Sequence, residues 1–181
     1  YDKAVKTKPQ ADYIFIRYGI NDKAKRQGFD TNFAKDFHEL LERLRKDHPQ
    51  AMLIPMTCIP FGAENSSLQI NDLIKQIAIN ENLPLFDIHP RYAAELKKGP
   101  DMLNYRRYAL SKIPENLKAL AVPYLQPGAV PEIAVLDNRL DAIFGHLPGW
   151  TGDRHPNQAG YHVIADETAK WLAPIIRNRK L

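Results

Sequence analysis

Asp12-Tyr13-Ile14-Phe15-Ile16-Arg17-Tyr18-Gly19-Ile20-Asn21-Asp22 is the stretch whose reading decides the fold. From Asp12 to Tyr18 the chain is β-favouring and nearly continuously apolar, and the run stops at a glycine. Such runs suit a strand covered on both faces, as in a parallel sheet. Two more follow. Ala51 to Cys58 (AMLIPMTC) contains Pro55, which argues for an edge, a bulge or the end of the strand; Leu83 to Ile88 (LPLFDI) is closed by His89-Pro90.

Helical patterns separate these runs. Asp30 or Thr31 is suited to cap a helix whose apolar stripe is Phe33, Phe37, Leu40, Leu41 and Leu44, and His48-Pro49 ends it. A second helix turns Leu73, Ile74 and Ile77 inward and ends near Asn82, and a short third spans residues 91–98. Strand, helix, strand, helix, strand predicts a parallel sheet with helices on both faces. Ligands of such sheets bind beyond the carboxyl ends of the strands. Gly19 to Asp22 lies at one such end and opens a polar loop expected to run through Gly28.

The second informative stretch is Gly152-Asp153-Arg154-His155-Pro156-Asn157-Gln158-Ala159-Gly160-Tyr161. Pro156 suits the first turn of a helix. Apolar residues then recur at Tyr161, Ile164, Ala165, Thr168, Trp171, Leu172 and Ile175, a helical stripe. His155 therefore sits in a loop at the lip of a helix, with Asp153 two residues before it. The pair reads as a base and its orienting acid, or as a polar loop with an exposed imidazole. Asn21 reads as a donor to a developing oxyanion, or as an Asx-turn residue; Asp22 is structural in either case. Arg154, Trp150 and Tyr105 to Tyr108 read as substrate contacts, or as surface charge and packing.

At 181 residues, 44% of them hydrophobic, the chain suits a single domain, 1–181. Residues 99–150 interrupt it as an insertion holding six of the fourteen prolines; 113–120 reads as helical and 123–131 as irregular. No apolar run approaches a membrane span. The net charge of +4 is scattered among acids, which speaks against a nucleic-acid patch. Cys58 alone rules out an internal disulfide and reads as a buried small hydrophobe. The six histidines make no H-E-x-x-H metal signature. A flavodoxin-like phosphate or flavin binder is disfavoured by the lack of a glycine-rich loop opening a helix.

Taken together, G-x-N-D after the first strand and D-x-H-P-N-x-x-G-Y before the last helix resemble the SGNH (GDSL) hydrolase family. The resemblance covers the chain apart from 99–150. It implies a three-layer α/β/α, flavodoxin-like parallel sheet, five-stranded when complete. It also implies a serine esterase without metal or organic cofactor, in which Gly19 and Asn21 match the oxyanion block and His155 the catalytic base. Two departures stand out. The family places its acid three residues before the histidine, where this chain has Gly152; the acid is then Asp153 by another loop path, a backbone carbonyl, or Asp137 or Asp141. The family's G-D-S serine block and second-block glycine are absent, and Ser66, Ser67 and Ser111 do not follow a strand in a strained turn. The expectation is that the chain is the C-terminal part of a longer protein, with the nucleophile before Tyr1 and the missing segment as a partner. Short acyl esters on carbohydrate are the expected substrates. A non-catalytic binding module that has lost the serine is the alternative. The compartment is left open.

Overall fold

The computed structural model describes residues 10–61, 66–98, 103, 105–135, 138–152 and 155–179. The chain divides into two compact units, 1–89 and 90–181.

In the first unit, strand β1 (Tyr13–Ile16) pairs in parallel with β2 (Met52–Pro55), Tyr13 opposite Met52 and Ile16 opposite Pro55. Helices α1 (Ile20–Lys25), α2 (Phe29–Asp47) and α3 (Ser66–Asn80) complete it, and α4 (His89–Leu96) begins at its last residue. The stripe predicted for α2 is its buried face: Phe33, Phe37, Leu41 and Leu44 join Phe29 in a core with Ile16, Leu53, Cys58, Ile70, Ile74 and Ile77. Phe29, Phe33 and Phe37 pack in series, the first pair tilted and the second edge-to-face, with ring centroids 4.8 and 5.7 Å apart.

Three expectations are corrected here. The run 83–88 does not form a strand among the described residues; it meets β2 through one parallel bridge, Met56 to Phe86. Phe86 N–H donates to Pro55 O at 2.9 Å, and Thr57 N–H donates to Phe86 O at 3.1 Å, whereas Met56 N–H turns the other way, to Ile16 O. In a parallel ladder, alternate N–H groups face opposite neighbours, so both Pro55 and Pro84 would present their nitrogens across this seam. Proline has no N–H, and the two missing donors leave a single bridge. Second, the loop expected from Gly19 to Gly28 contains helix α1. Gly19 turns the chain with φ +123°, its N–H donates to the Asp22 carboxylate at 3.0 Å, and Lys23 N–H closes the first turn on Gly19 O. A carboxylate three residues into a helix and bonded to its first free N–H is a recognised helix start. Third, α2 is capped by Gly28 in the left-handed region, φ +61°, with no side-chain cap; Thr31 donates its hydroxyl to Gly28 O from within the first turn.

The second unit holds α4 beyond His89 and most of the predicted insertion, which is ordered around a small antiparallel sheet of order β3–β5–β4: β3 (Arg106–Ala109), β4 (Leu125–Gln126) and β5 (Glu132–Val135). Tyr108 faces Ile133 across the β3–β5 pair. Short helices α5 (Lys118–Ala121) and α6 (Asp141–Phe144) follow β3 and β5, and the helical reading of 113–120 is met by a 3-10 turn over Glu115–Leu117 running into α5. Tyr108, Ile113, Ile133, Leu140, Phe144, Leu147 and Trp150 form its core. Arg106 is fully buried beside them and forks onto Asp141, with Nε and Nη2 each 2.8 Å from a carboxylate oxygen. The long helix α7 (Gln158–Asn178) closes the unit with Ile164, Thr168, Trp171, Leu172 and Ile175 half-buried; Tyr161 and Ala165 of the expected stripe are exposed.

Breaking a buried ion pair from one side strands the other charge. Asp141→Ala is expected to destabilise the second unit by about 3–5 kcal/mol. Urea unfolding followed by tryptophan fluorescence checks this, since Trp150 lies in the same core.

Candidate active site

Gly19 and Asn21 lie in the first unit, at the start of α1. The glycine is obligatory on two counts. Its φ is positive, and a Cβ there would overlap Ile70 Cγ2 of α3. Asn21 is exposed in the first turn of α1, so its amide is available to solvent-borne ligands. Asp22 is structural, as expected, holding Gly19 N–H. Cys58 follows β2 and is fully buried. Burial pushes its thiol up to about 11, so at neutral pH it stays protonated and is a poor nucleophile.

His155 lies in the second unit with its side chain exposed. Its backbone is pinned. His155 O accepts Tyr105 N–H at 3.0 Å, and two residues later Asn157 N–H donates to Leu103 O at 3.1 Å. Asn157 is itself the N-cap of α7, its side-chain oxygen accepting Gly160 N–H at 3.0 Å. Gly160 packs so closely on Tyr92 that a Cβ would overlap the tyrosine hydroxyl. The H-P-N-x-x-G pattern thus has a local cause: the asparagine starts the helix, the glycine lets it pack on α4, and the histidine is left at a fixed point on the loop.

Asp153 and Arg154 lie outside the described residues, as does Asp137. Asp141, the other acid considered for orienting His155, receives both Arg106 nitrogens and, at 2.7 Å, the Trp150 indole N–H. Trp150 itself is 1% exposed and stacks with Phe144 and Tyr108, which is a packing position. Among the described residues no group of three His, Cys, Asp or Glu side chains could hold a metal ion, and no helix is long and apolar enough to cross a membrane.

The sequence reading missed one contact between a serine and a histidine. Ser67 Oγ lies 3.2 Å from His89 Nε2. Ser67 is fully buried in the first turn of α3. The nearby Asp87 carboxylate takes the Thr57 hydroxyl at 2.8 Å and Lys75 Nζ at 3.1 Å, while Thr57 Oγ1 also accepts His89 N–H. The cluster ties the end of the 83–88 segment to α3, and no spacing in the sequence announces it.

Residues 1–163 match the GDSL-like Lipase/Acylhydrolase family. A crystal structure of a protein from Lactobacillus plantarum superposes with a TM-score of 0.51 at 16% identity, covering 95% of this chain and 70% of that one, which is a likeness of fold. No curated protein matches the sequence.

Burial lowers the pKa of His89, with Lys75 acting the same way and Asp87 opposing. The unfolded chain therefore takes up a proton near the ordinary histidine value of about 6.5 before the folded one does. The stability tied to neutral His89 is complete above that pH and is lost as pH falls through it. His89→Gln is expected to flatten the fall in stability below about pH 6.5, read as denaturation midpoints.

The match over nine-tenths of the chain, with a histidine held at the head of α7 and a glycine–asparagine turn after β1, identifies the protein as a member of the GDSL-like lipase/acylhydrolase family.

Proposed function

We propose that the protein is a serine-type ester hydrolase in which His155 is the general base and Asn21 an oxyanion donor. The observation that carries this reading is the exposed His155 imidazole on a loop whose backbone is bonded at His155 itself and again two residues on, at Asn157. A base must be presented to solvent-borne substrate and must not wander. The serine that it deprotonates is assigned to a segment upstream of Tyr1, because the serines whose side chains are described do not suit. Ser67 is buried against His89, and Ser111 is in a 3-10 turn of the second unit. The serine attacks the ester carbonyl and His155 takes its proton. The tetrahedral oxyanion is held by Asn21 Nδ2–H and backbone N–H groups, Gly19 N–H being committed to Asp22. His155 returns the proton to the leaving alcohol, and water completes the cycle by the same path. Asp153 is the proposed orienter of the imidazole and Arg154 a substrate contact. Short acyl esters, including O-acetyl groups on carbohydrate, are the proposed substrates, and the complete fold is read as five parallel strands between helix layers.

A second reading, a binding module of the same fold without turnover, is favoured by one observation: the buried state of Ser67, which among the described residues is the serine that touches a histidine. Turnover of 4-nitrophenyl acetate by the longer protein separates the two.

In that protein, His155→Ala is expected to lower kcat by several orders of magnitude with an unchanged circular dichroism spectrum. Asn21→Ala is expected to cost on the order of 10²–10³ in kcat. Ser67→Ala is expected to leave turnover intact. Wild-type turnover in His155→Ala, or its loss in Ser67→Ala, would overturn the assignment.

A further inference from the structure

We propose that Asn71 is a positioning residue for the oxyanion turn, acting through Cys58 and Tyr18 on Gly19 to Asn21; the inference rests on the reading of Asn21 as a donor. Asn71 stands on α3 and is 1% exposed. Both of its hydrogen bonds go to one residue: Oδ1 accepts Cys58 N–H at 2.7 Å, and Nδ2 donates to Cys58 O at 3.0 Å. Cys58 lies just past β2, where the parallel ladder has ended, so its backbone groups have left the sheet. Inside a protein, such groups need partners, and Asn71 is a short side chain that can both donate and accept.

The clamp continues to the other strand. Cys58 Sγ–H donates to Tyr18 O at 3.4 Å, and Tyr18 precedes Gly19. Ile70, the neighbour of Asn71 on α3, is fully buried and packs directly on Gly19. One step of α3 thus supports the turn twice, by contact through Ile70 and by hydrogen bonds through Asn71. Asn21 follows two residues on, in the first turn of a helix whose start is Gly19. A donor misplaced by about 1 Å loses most of its value in the transition state, and its own side chain need not be altered for that to happen.

Removing the Asn71 amide leaves the Cys58 N–H and C=O buried without these partners, so the end of β2 and the Tyr18–Gly19 turn relax together. Asn71→Ala in the longer esterase is expected to lower kcat between roughly 10- and 100-fold with KM nearly unchanged. The test is a double-mutant cycle with Asn21→Ala on 4-nitrophenyl acetate. If Asn71 acts through Asn21, its substitution changes kcat less than about twofold once Asn21 is alanine. Equal losses in both backgrounds overturn the positioning role alone. Wild-type turnover in Asn21→Ala overturns the oxyanion reading and this inference with it.

Amide hydrogen exchange gives a readout independent of turnover. Asn71→Ala, or the milder Asn71→Ser, should speed exchange at Cys58 and at the α1 amides Lys23 and Ala24, which the turn carries. Phe37 and Leu41 of α2 should remain protected. Uniform loss of protection across α2 in both variants would show a purely structural residue and overturn the proposal.

Discussion

The buried amide of Asn71, closed in two hydrogen bonds on Cys58, is the constraint around which the first unit is arranged. A two-stranded parallel ladder of four residue pairs ends abruptly, and the Cys58 peptide groups beyond it have to be taken up by something other than a strand. Asn71 takes them up from α3, which locks that helix to the end of β2. Once α3 is there, Ile70 occupies the space beside β1, and the residue after Tyr18 has to be a glycine. The glycine then starts α1, and Asp22 satisfies its N–H. A sequence of local necessities leads from a helix side chain to the turn bearing Asn21.

The second unit depends on a charge rather than an amide. Arg106 is buried without exposure on a strand that otherwise alternates in the ordinary way, and its guanidinium is matched by both oxygens of Asp141. Trp150 adds its indole N–H to the same carboxylate. The three residues come from β3, α6 and the turn before His155, so their mutual satisfaction closes the small sheet against the segment that precedes α7. A buried pair of this kind adds little net stability over a hydrophobic one, and its value is that one arrangement alone leaves no charge stranded.

Two histidines of the chain illustrate how surroundings, not residue type, assign roles. His89 is half-buried against a fully buried serine, and burial disfavours its protonation. His155 is exposed, on a backbone held by Tyr105 and by the Asn157 cap. The first contact has the residue types of a nucleophile and its base but offers no access to a substrate. The second is accessible to solvent. Access and a supported backbone, more than proximity of a serine to a histidine, are what the proposal of His155 as base rests on.

Much of this was determined by the sequence alone. The β-favouring run before Gly19, the phenylalanine and leucine stripe of α2, the start of α7 after Pro156 and the pairing of G-x-N-D with H-P-N-x-x-G are local or periodic signals, and periodicity reports burial directly. The family and the positions of Gly19, Asn21 and His155 on their elements were legible for that reason. Tertiary structure decided the rest. The segment 83–88 has the composition of a strand, but Pro55 and Pro84 withhold donors from the same seam, a coincidence visible only once the two segments are in register. The antiparallel sheet within 99–150 depends on Arg106 finding Asp141 thirty-five residues away, and Trp150 is drawn into the core by that same carboxylate. Asn71 carries no sequence signal at all: a polar residue in an apolar helix face becomes intelligible only when the unpaired peptide it serves is beside it. Hydrogen-bond demand arises from where strands end in space, and a chain read one residue at a time does not contain that information.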